Sequence, residues 1–278
     1  MGLRPSDHLA AFSSPASIPM TKAIPEGLLG SPLLTFPPLD EGILVKRYKR
    51  FLADVELVSG EIVTAHCANT GPMTGVLHPG GRVRIRHAPS PKRKLAWTWE
   101  QAEAPSAQGG LCWVGINTAL ANSLIRAAIE AGHLKQVLGP IAAIRAEVTY
   151  GSNRRSRIDL FLTPDANCSD TRPIYLEVKN TTWIEDSLAL FPDTVTERGQ
   201  KHLKELIGVL PESRAVLVPC LSRHDVQAFA PGDSADPRYG ELFRLALTAG
   251  VEVIPCCFGF HLDKITWEGL RPTKTTQS

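Results

Sequence analysis

With 278 residues, 43% of them hydrophobic, the chain can build one large core or two modest ones, which argues against the fibrous and disordered classes. Thirty basic residues against 28 acidic ones leave a formal charge of +2, so the total neither requires nor forbids a polyanionic partner and the distribution must decide. Six scattered cysteines without a CxxC pair give neither a disulfide framework nor a zinc knuckle, and the apolar runs fall short of the roughly 20 residues a membrane span needs.

Residues 1–32 are rich in Ser, Pro and Ala and lack the compact apolar stretch of a signal peptide. They predict a loose tail on a cytoplasmic protein, with Met20 as an alternative start. From Gly42 to Glu103, short β-type runs alternate with turn residues: 43–48, 53–58, 62–66, 82–87 and 95–99, with Ser59-Gly60 as a hairpin turn. About five strands in so short a span predict a small barrel, and the five-stranded oligonucleotide-binding (OB) barrel is one such solution. The segment QAEAPSAQGG, residues 101–110, reads as a linker, which assigns the barrel to residues 33–110.

After it the hydrophobic period changes. Leu120, Leu124, Ala127, Ala128 and Ala131 recur at three-to-four spacing, Asn117 precedes them as an N-cap and Gly132 stops them, so 118–131 is predicted helical. Strand-like runs follow at 144–150, 157–162 and 174–180, then a helix over 195–210, a strand 215–218, a helix 239–249 and a strand 251–255. This alternation predicts an α/β domain with a mixed central sheet over residues 111–260, with 261–278 left as a C-terminal tail.

In YLEVKN, Glu177 and Lys179 lie two apart within an otherwise apolar strand and therefore share one face, with Leu176 and Val178 on the other. A hairpin closed symmetrically by Thr163 to Pro173 sets Asp159 opposite Glu177. Two facing carboxylates repel unless a cation lies between them, and a hard divalent ion such as magnesium or manganese is the usual solution. Such an ion can activate water for phosphodiester hydrolysis, with Lys179 orienting the water or donating charge. The same residues also permit a plain Asp159–Lys179 or Glu177–Lys179 ion pair.

Basic residues recur near these acids and in the barrel. Arg154, Arg155 and Arg157 precede Asp159, where guanidinium groups can hold phosphates. Lys46, Arg47, Lys49 and Arg50 alternate with Tyr48 and Phe51, the mixture single-strand binders use, and Arg82, Arg84 and Arg86 are spaced to share one strand face. Together they point to a nucleic-acid groove. On the helix after the ExK strand, Val195, Gly199, Leu203, Leu206, Ile207 and Leu210 form the expected buried stripe, with Arg198, His202 and Glu205 along its edge.

The phrases RYKRFLADVEL (47–57), AHCANTGPMTG (65–75), RSRIDL (155–160), YLEVKN (175–180) and FPDTVTERGQKHLKEL (191–206) resemble the sugar fermentation stimulation protein A family, across roughly Leu33 to Pro255. Ala68 stands where the family pattern has proline. The resemblance implies an OB-type barrel followed by a PD-(D/E)XK nuclease-like domain, with DNA, single-stranded or duplex, as the partner. It sets the motif's Asp on Asp159 and its ExK on Glu177 and Lys179, with Asp159 and Glu177 as the metal ligands. It also suggests Arg198 and His202 as accessory phosphate or transition-state contacts, while Glu147 in AEVTYG is a candidate third acid. Two further readings remain open: a non-enzymatic DNA-binding regulator of sugar metabolism that keeps the nuclease fold, and, ranked last, a hydrolase of a small phosphorylated metabolite. A homo-oligomer is left open too.

Overall fold

A computed structural model describes residues 29–151 and 156–277; Arg154 and Arg155 lie outside the described residues. The first element among the described residues is β1 (Ser31–Thr35), followed by β2 (Leu39–Tyr48), β3 (Leu52–Leu57), β4 (Ile62–Cys67), β5 (Arg82–His87), β6 (Trp97–Pro105) and β7 (Leu111–Gly115). A 3-10 turn, Thr118–Leu120, leads into α1 (Ala121–Glu130) and the short α2 (Lys135–Leu138). Next come β8 (Ile141–Tyr150), β9 (Ser156–Pro164), β10 (Ile174–Thr181), β11 (Trp183–Glu185), β12 (Leu188–Phe191) and α3 (Glu197–Gly208). The chain ends with β13 (Arg214–Leu221), β14 (Ala228–Pro231), α4 (Pro237–Ala249), β15 (Glu252–Val253), β16 (Cys256–Phe260) and β17 (Lys264–Leu270).

The barrel is a consequence of strict alternation. Ala53 and Val55 on β3 and Val63, Ala65 and Cys67 on β4 point inward onto Val83, Ile85 and Trp99, while their neighbours face out. β2 pairs with both β3 and β5, β5 with β6, and β3 with β4; the parallel β4–β6 pairing, Ala65↔Trp97 to Cys67↔Trp99, closes the ring. The five strands β2 to β6 are thus the OB-type barrel expected. Residues 101–110 are no linker: β6 runs on to Pro105 and turns back through Gly109 and Gly110 into β7, an added strand on the barrel sheet.

The second domain is a mixed sheet in the order β1-β17-β16-β13-β10-β9-β8, with β15 beside β13. One face packs on α1, whose Leu124, Ile125 and Ala128 meet Leu160, Leu176 and Val178. The other packs on α3 and α4 through Leu203, Leu206, Tyr239, Phe243 and Ala246. Residues 261–278 are not a tail, because β17 is antiparallel to β16, pairs with β1 and buries Trp267 completely. Ser31 and Pro32, assigned to the loose N-terminal segment, are likewise strand residues of this sheet.

A close glycine crossing and a buried ion pair are among the contacts that lock the domains together. A Cβ at Gly115 would overlap the Phe260 ring, so β7 and β16 approach as only glycine permits. Arg223, 1% exposed, pairs with Asp225 at 2.7 Å and donates to Pro105 O at 2.7 Å, while Asp225 accepts from the Ala107 N–H at 2.7 Å.

Candidate functional site

The antiparallel register of β9 and β10, Ile174↔Leu162, Tyr175↔Phe161 and Leu176↔Leu160, is that of the symmetric hairpin. Its regular pairing ends there. At the next position the Asp159 carboxylate stands between the strands and Oδ2 accepts from the Val178 N–H at 2.7 Å, while Oδ1 accepts from Asn122 Nδ2 of α1 at 2.9 Å. Asp159 is thus gripped by neutral donors. Burial and the Glu177 charge nonetheless raise its carboxyl above the ordinary range, outweighing the Val178 and Asn122 bonds and the Lys179 charge.

Glu177 and Lys179 share the β10 face toward α3, opposite the core side chains Leu176 and Val178. Glu177 is 2% exposed. Its Oε1 accepts from Lys179 Nζ at 2.6 Å and contacts His202 Nδ1, which also lies 3.0 Å from Lys179 Nζ. Burial would push the Glu177 carboxyl up, but the Lys179 charge and the His202 bond hold it below the ordinary value. Its second oxygen, Oε2, is buried without any hydrogen-bond partner. A carboxylate oxygen stranded in this way is costly unless a cation or donor reaches it.

Helix α3 begins where Thr196 accepts from the Gly199 N–H, and this cap sets the helix phase that brings His202 inward. His202 is itself part of the buried face, whereas Val195, expected in that stripe, precedes the helix and is 64% exposed. Arg198 is exposed, with Nε 3.5 Å from His202 Nε2. Glu205, one turn on, accepts from Ser156 Oγ at 2.6 Å and keeps a buried, unpartnered Oε2, as does the hydroxyl of Tyr150. Burial, with Glu177, Glu205 and Asp159 all nearby, drives the Tyr150 hydroxyl well above its ordinary value, so it stays neutral. The sequence marks Asn122 only as a polar residue flanking the first helix of the second domain and gives no site role to it or to Tyr150: neither carries charge, and α1 and β8 are far from the ExK strand in sequence.

Glu147 is not brought into this group. It is exposed, adopts a left-handed φ of 54°, and makes no hydrogen bond or ion pair among the described residues. Arg157 is exposed at the entrance to β9 and has no side-chain partner among the described residues. Among the described residues no three His, Cys, Asp or Glu side chains form a ready metal centre. An ion here would take one or two carboxylates from the protein and oxygen ligands from water or substrate.

Residues 119–264 match the family model described as the sugar fermentation stimulation protein (SfsA) RE domain, and residues 45–116 the one described as the SfsA N-terminal OB domain. The chain belongs to the sugar fermentation stimulation protein family. A homolog from Prochlorococcus marinus (strain MIT 9303) is 95% identical over 259 residues, 93% of this chain and 100% of that one. Another from Parasynechococcus marenigrum (strain WH8102) is 76% identical over 88% of this chain and 96% of its own. The structure of Pyrococcus furiosus SfsA in complex with Ca2+ superposes with a TM-score of 0.75 at 27% identity, covering 88% of this chain and 99% of that one.

On the OB domain of this SfsA-family chain the basic residues are distributed differently from the expected groove. Arg82, Arg84 and Arg86 do not form a free cationic face. Arg82 pairs with Glu41 and Glu103 at 2.6 and 3.0 Å, Arg84 with Glu41 at 2.9 Å while stacked 3.7 Å from the Trp113 ring centroid, and Arg86 with Glu100 at 2.8 Å. Glu41 of β2, Glu100 and Glu103 of β6 and the Trp113 ring of β7 are what those guanidiniums meet. Arg47 donates to Asn69 O and Gly71 O, both at 2.9 Å, and Arg50 to Thr70 O at 3.0 Å, bracing the ANTG turn. Lys46 reaches Asp54, and the Tyr48 hydroxyl donates to the same carboxylate. Among the described residues, Lys49 and, in the β5–β6 loop, Lys92 and Lys94 are exposed with no side-chain partner. The KRK run in that loop was the sequence signal for the latter pair.

Proposed function

We propose that this SfsA-family chain binds DNA across its OB domain and hydrolyses phosphodiesters at a divalent-metal site in the RE domain, with Asp159 and Glu177 holding magnesium or manganese. The observation that carries this reading is the unpartnered Oε2 of Glu177, which belongs to a carboxylate 2% exposed whose charge acts on Asp159 and whose other oxygen accepts from Lys179 at 2.6 Å. A bound divalent ion lowers the pKa of a ligated water and neutralises charge developing on the phosphate. Lys179, anchored to Glu177 at 2.6 Å, is placed to direct a proton of the attacking water or to donate to a phosphate oxygen. His202 and Arg198 stand behind it and at the rim, and Arg157 lies at the strand entrance for a phosphate. The Ca2+ of the Pyrococcus furiosus structure belongs to the same hard, oxygen-seeking class of ion.

The rival reading, a non-enzymatic DNA-binding regulator retaining the nuclease fold, is favoured by one observation: Lys179 already neutralises the Glu177 Oε1 side. One experiment separates the two. Purified full chain is incubated with labelled single-stranded, duplex and branched DNA, with magnesium, with manganese and with chelator. Metal-dependent cleavage, lowered by at least about 100-fold in Asp159→Asn and Glu177→Gln, is the expected result. Binding that persists in chelator while no metal produces cleavage establishes the rival instead.

A further inference from the structure

We propose that Asn122 is a positioning residue for Asp159, placed by the OB domain and setting the affinity of the RE domain for its divalent ion; this rests on the metal reading above. A carboxylate turns freely about its Cβ–Cγ bond unless both ends are held. The Val178 N–H fixes Oδ2 at 2.7 Å, and the Asn122 amide fixes Oδ1 at 2.9 Å. Asn122 does this without a charge. A lysine or arginine at the same place would satisfy Asp159 and repel a cation, whereas a neutral amide orients the carboxylate and leaves its negative charge and remaining lone pairs for the ion.

The position of Asn122 is itself determined by the other domain. It is the second residue of α1, directly after the 3-10 turn, and that turn is bound to the barrel at two points. Thr118 Oγ1 donates to Ala68 O at 3.1 Å, and Asn117, which caps the turn by accepting from the Ala119 N–H, donates through Nδ2 to Glu100 Oε2 at 2.7 Å. Glu100 is 1% exposed on β6, and its other oxygen accepts from Arg86 at 2.8 Å. Leu124 and Ile125 then bury the helix on the sheet carrying Asp159. Asn122 is therefore delivered to the carboxylate by contacts from both domains.

The test is calorimetric titration of Ca2+ and of Mn2+ into the full chain, alongside melting in chelator, for the parent, Asn122→Leu, Asn122→Ala and the exposed neighbour Ser123→Ala. Removing an outer partner of a metal-binding carboxylate weakens binding by about 10- to 100-fold, and that loss is expected in both Asn122 variants with Ser123→Ala unchanged. A purely structural asparagine would lower the melting temperature in chelator and leave the dissociation constant of the folded protein as in the parent. Should the leucine not be accommodated, Asn122→Ala removes the donor without added bulk and decides alone. Affinities within twofold of a parent that does bind overturn the role of Asn122 only. A parent with no saturable binding of either ion overturns the metal site and this proposal with it.

Discussion

Replacing Glu177 by Gln changes a charge at nearly constant volume and separates a metal ligand from an ion-pair partner by the response to magnesium. In chelator the substitution leaves Lys179 and His202, with side chains 13% and 7% exposed, without the carboxylate both of them contact. Breaking a buried pair by removing one partner costs on the order of 3–5 kcal/mol, and the Gln carbonyl, still able to accept from Lys179, brings this to about 3 kcal/mol. At roughly 2–3 °C per kcal/mol for a chain of this size, the melting temperature in chelator should fall by about 6–9 °C. Magnesium at 100 times its dissociation constant adds about 2.7 kcal/mol to the parent, or roughly 5–8 °C, and should add nothing to the variant. Calorimetric melting of both proteins in chelator and in magnesium measures all four values. A variant that keeps the full magnesium gain shows that the ion is not held by Glu177. A parent that gains nothing, with a variant that melts low, reduces Glu177 to an ion-pair partner and refutes the metal assignment.

Arg84→Ala should destabilise the barrel by roughly 2–3 kcal/mol, since it removes a charge-assisted bond to Glu41 and the stack on Trp113. Its effect on DNA affinity should stay within about twofold; urea unfolding and fluorescence anisotropy check both, and a stable variant that no longer binds DNA returns Arg84 to the interface. Combined Lys49→Ala, Lys92→Ala and Lys94→Ala should weaken all DNA sequences alike and reduce the slope of log affinity against log salt by about 2–3, as three lost phosphate contacts require. An unchanged slope removes these lysines from the binding surface. The last expectation concerns pH. Burial alone would raise the Asp225 carboxyl, but the Arg223 hydrogen bond and charge and the Ala107 N–H bring it down to about 2 from 3.8. A depressed folded value contributes stability above the unfolded one that is lost as pH falls from about 4 through about 2, here on the order of 2 kcal/mol. The stability difference between parent and Asp225→Asn should shrink over that window in urea unfolding, and a difference that stays constant contradicts it.

Side-chain period was enough to place much of this molecule. The alternation of Ala53, Val55, Val63 and Ala65 marks barrel strands, the spacing of Leu124 and Ala128 marks α1, and Glu177 two residues from Lys179 fixes their common face. The hairpin register also followed from local sequence, because symmetric closure of β9 onto β10 needs only the lengths of the strands and loop. Gln101 to Pro105 looked like a linker because Gln, Glu, Ala and Pro have little strand propensity, yet β5 and β7 on either side supply the ladder that makes it strand. Lys264 to Leu270 gained its place in the same way, between β16 and β1. The fate of the charges belonged wholly to the tertiary structure. Periodicity reports which way Arg82, Arg84 and Arg86 point, but not that Glu41, Glu100, Glu103 and Trp113 wait there, nor that Asn122 from a distant helix closes on Asp159. Whether a charge is spent inside the fold or left for a ligand depends on partners far away in the chain, and no local repeat encodes their distance.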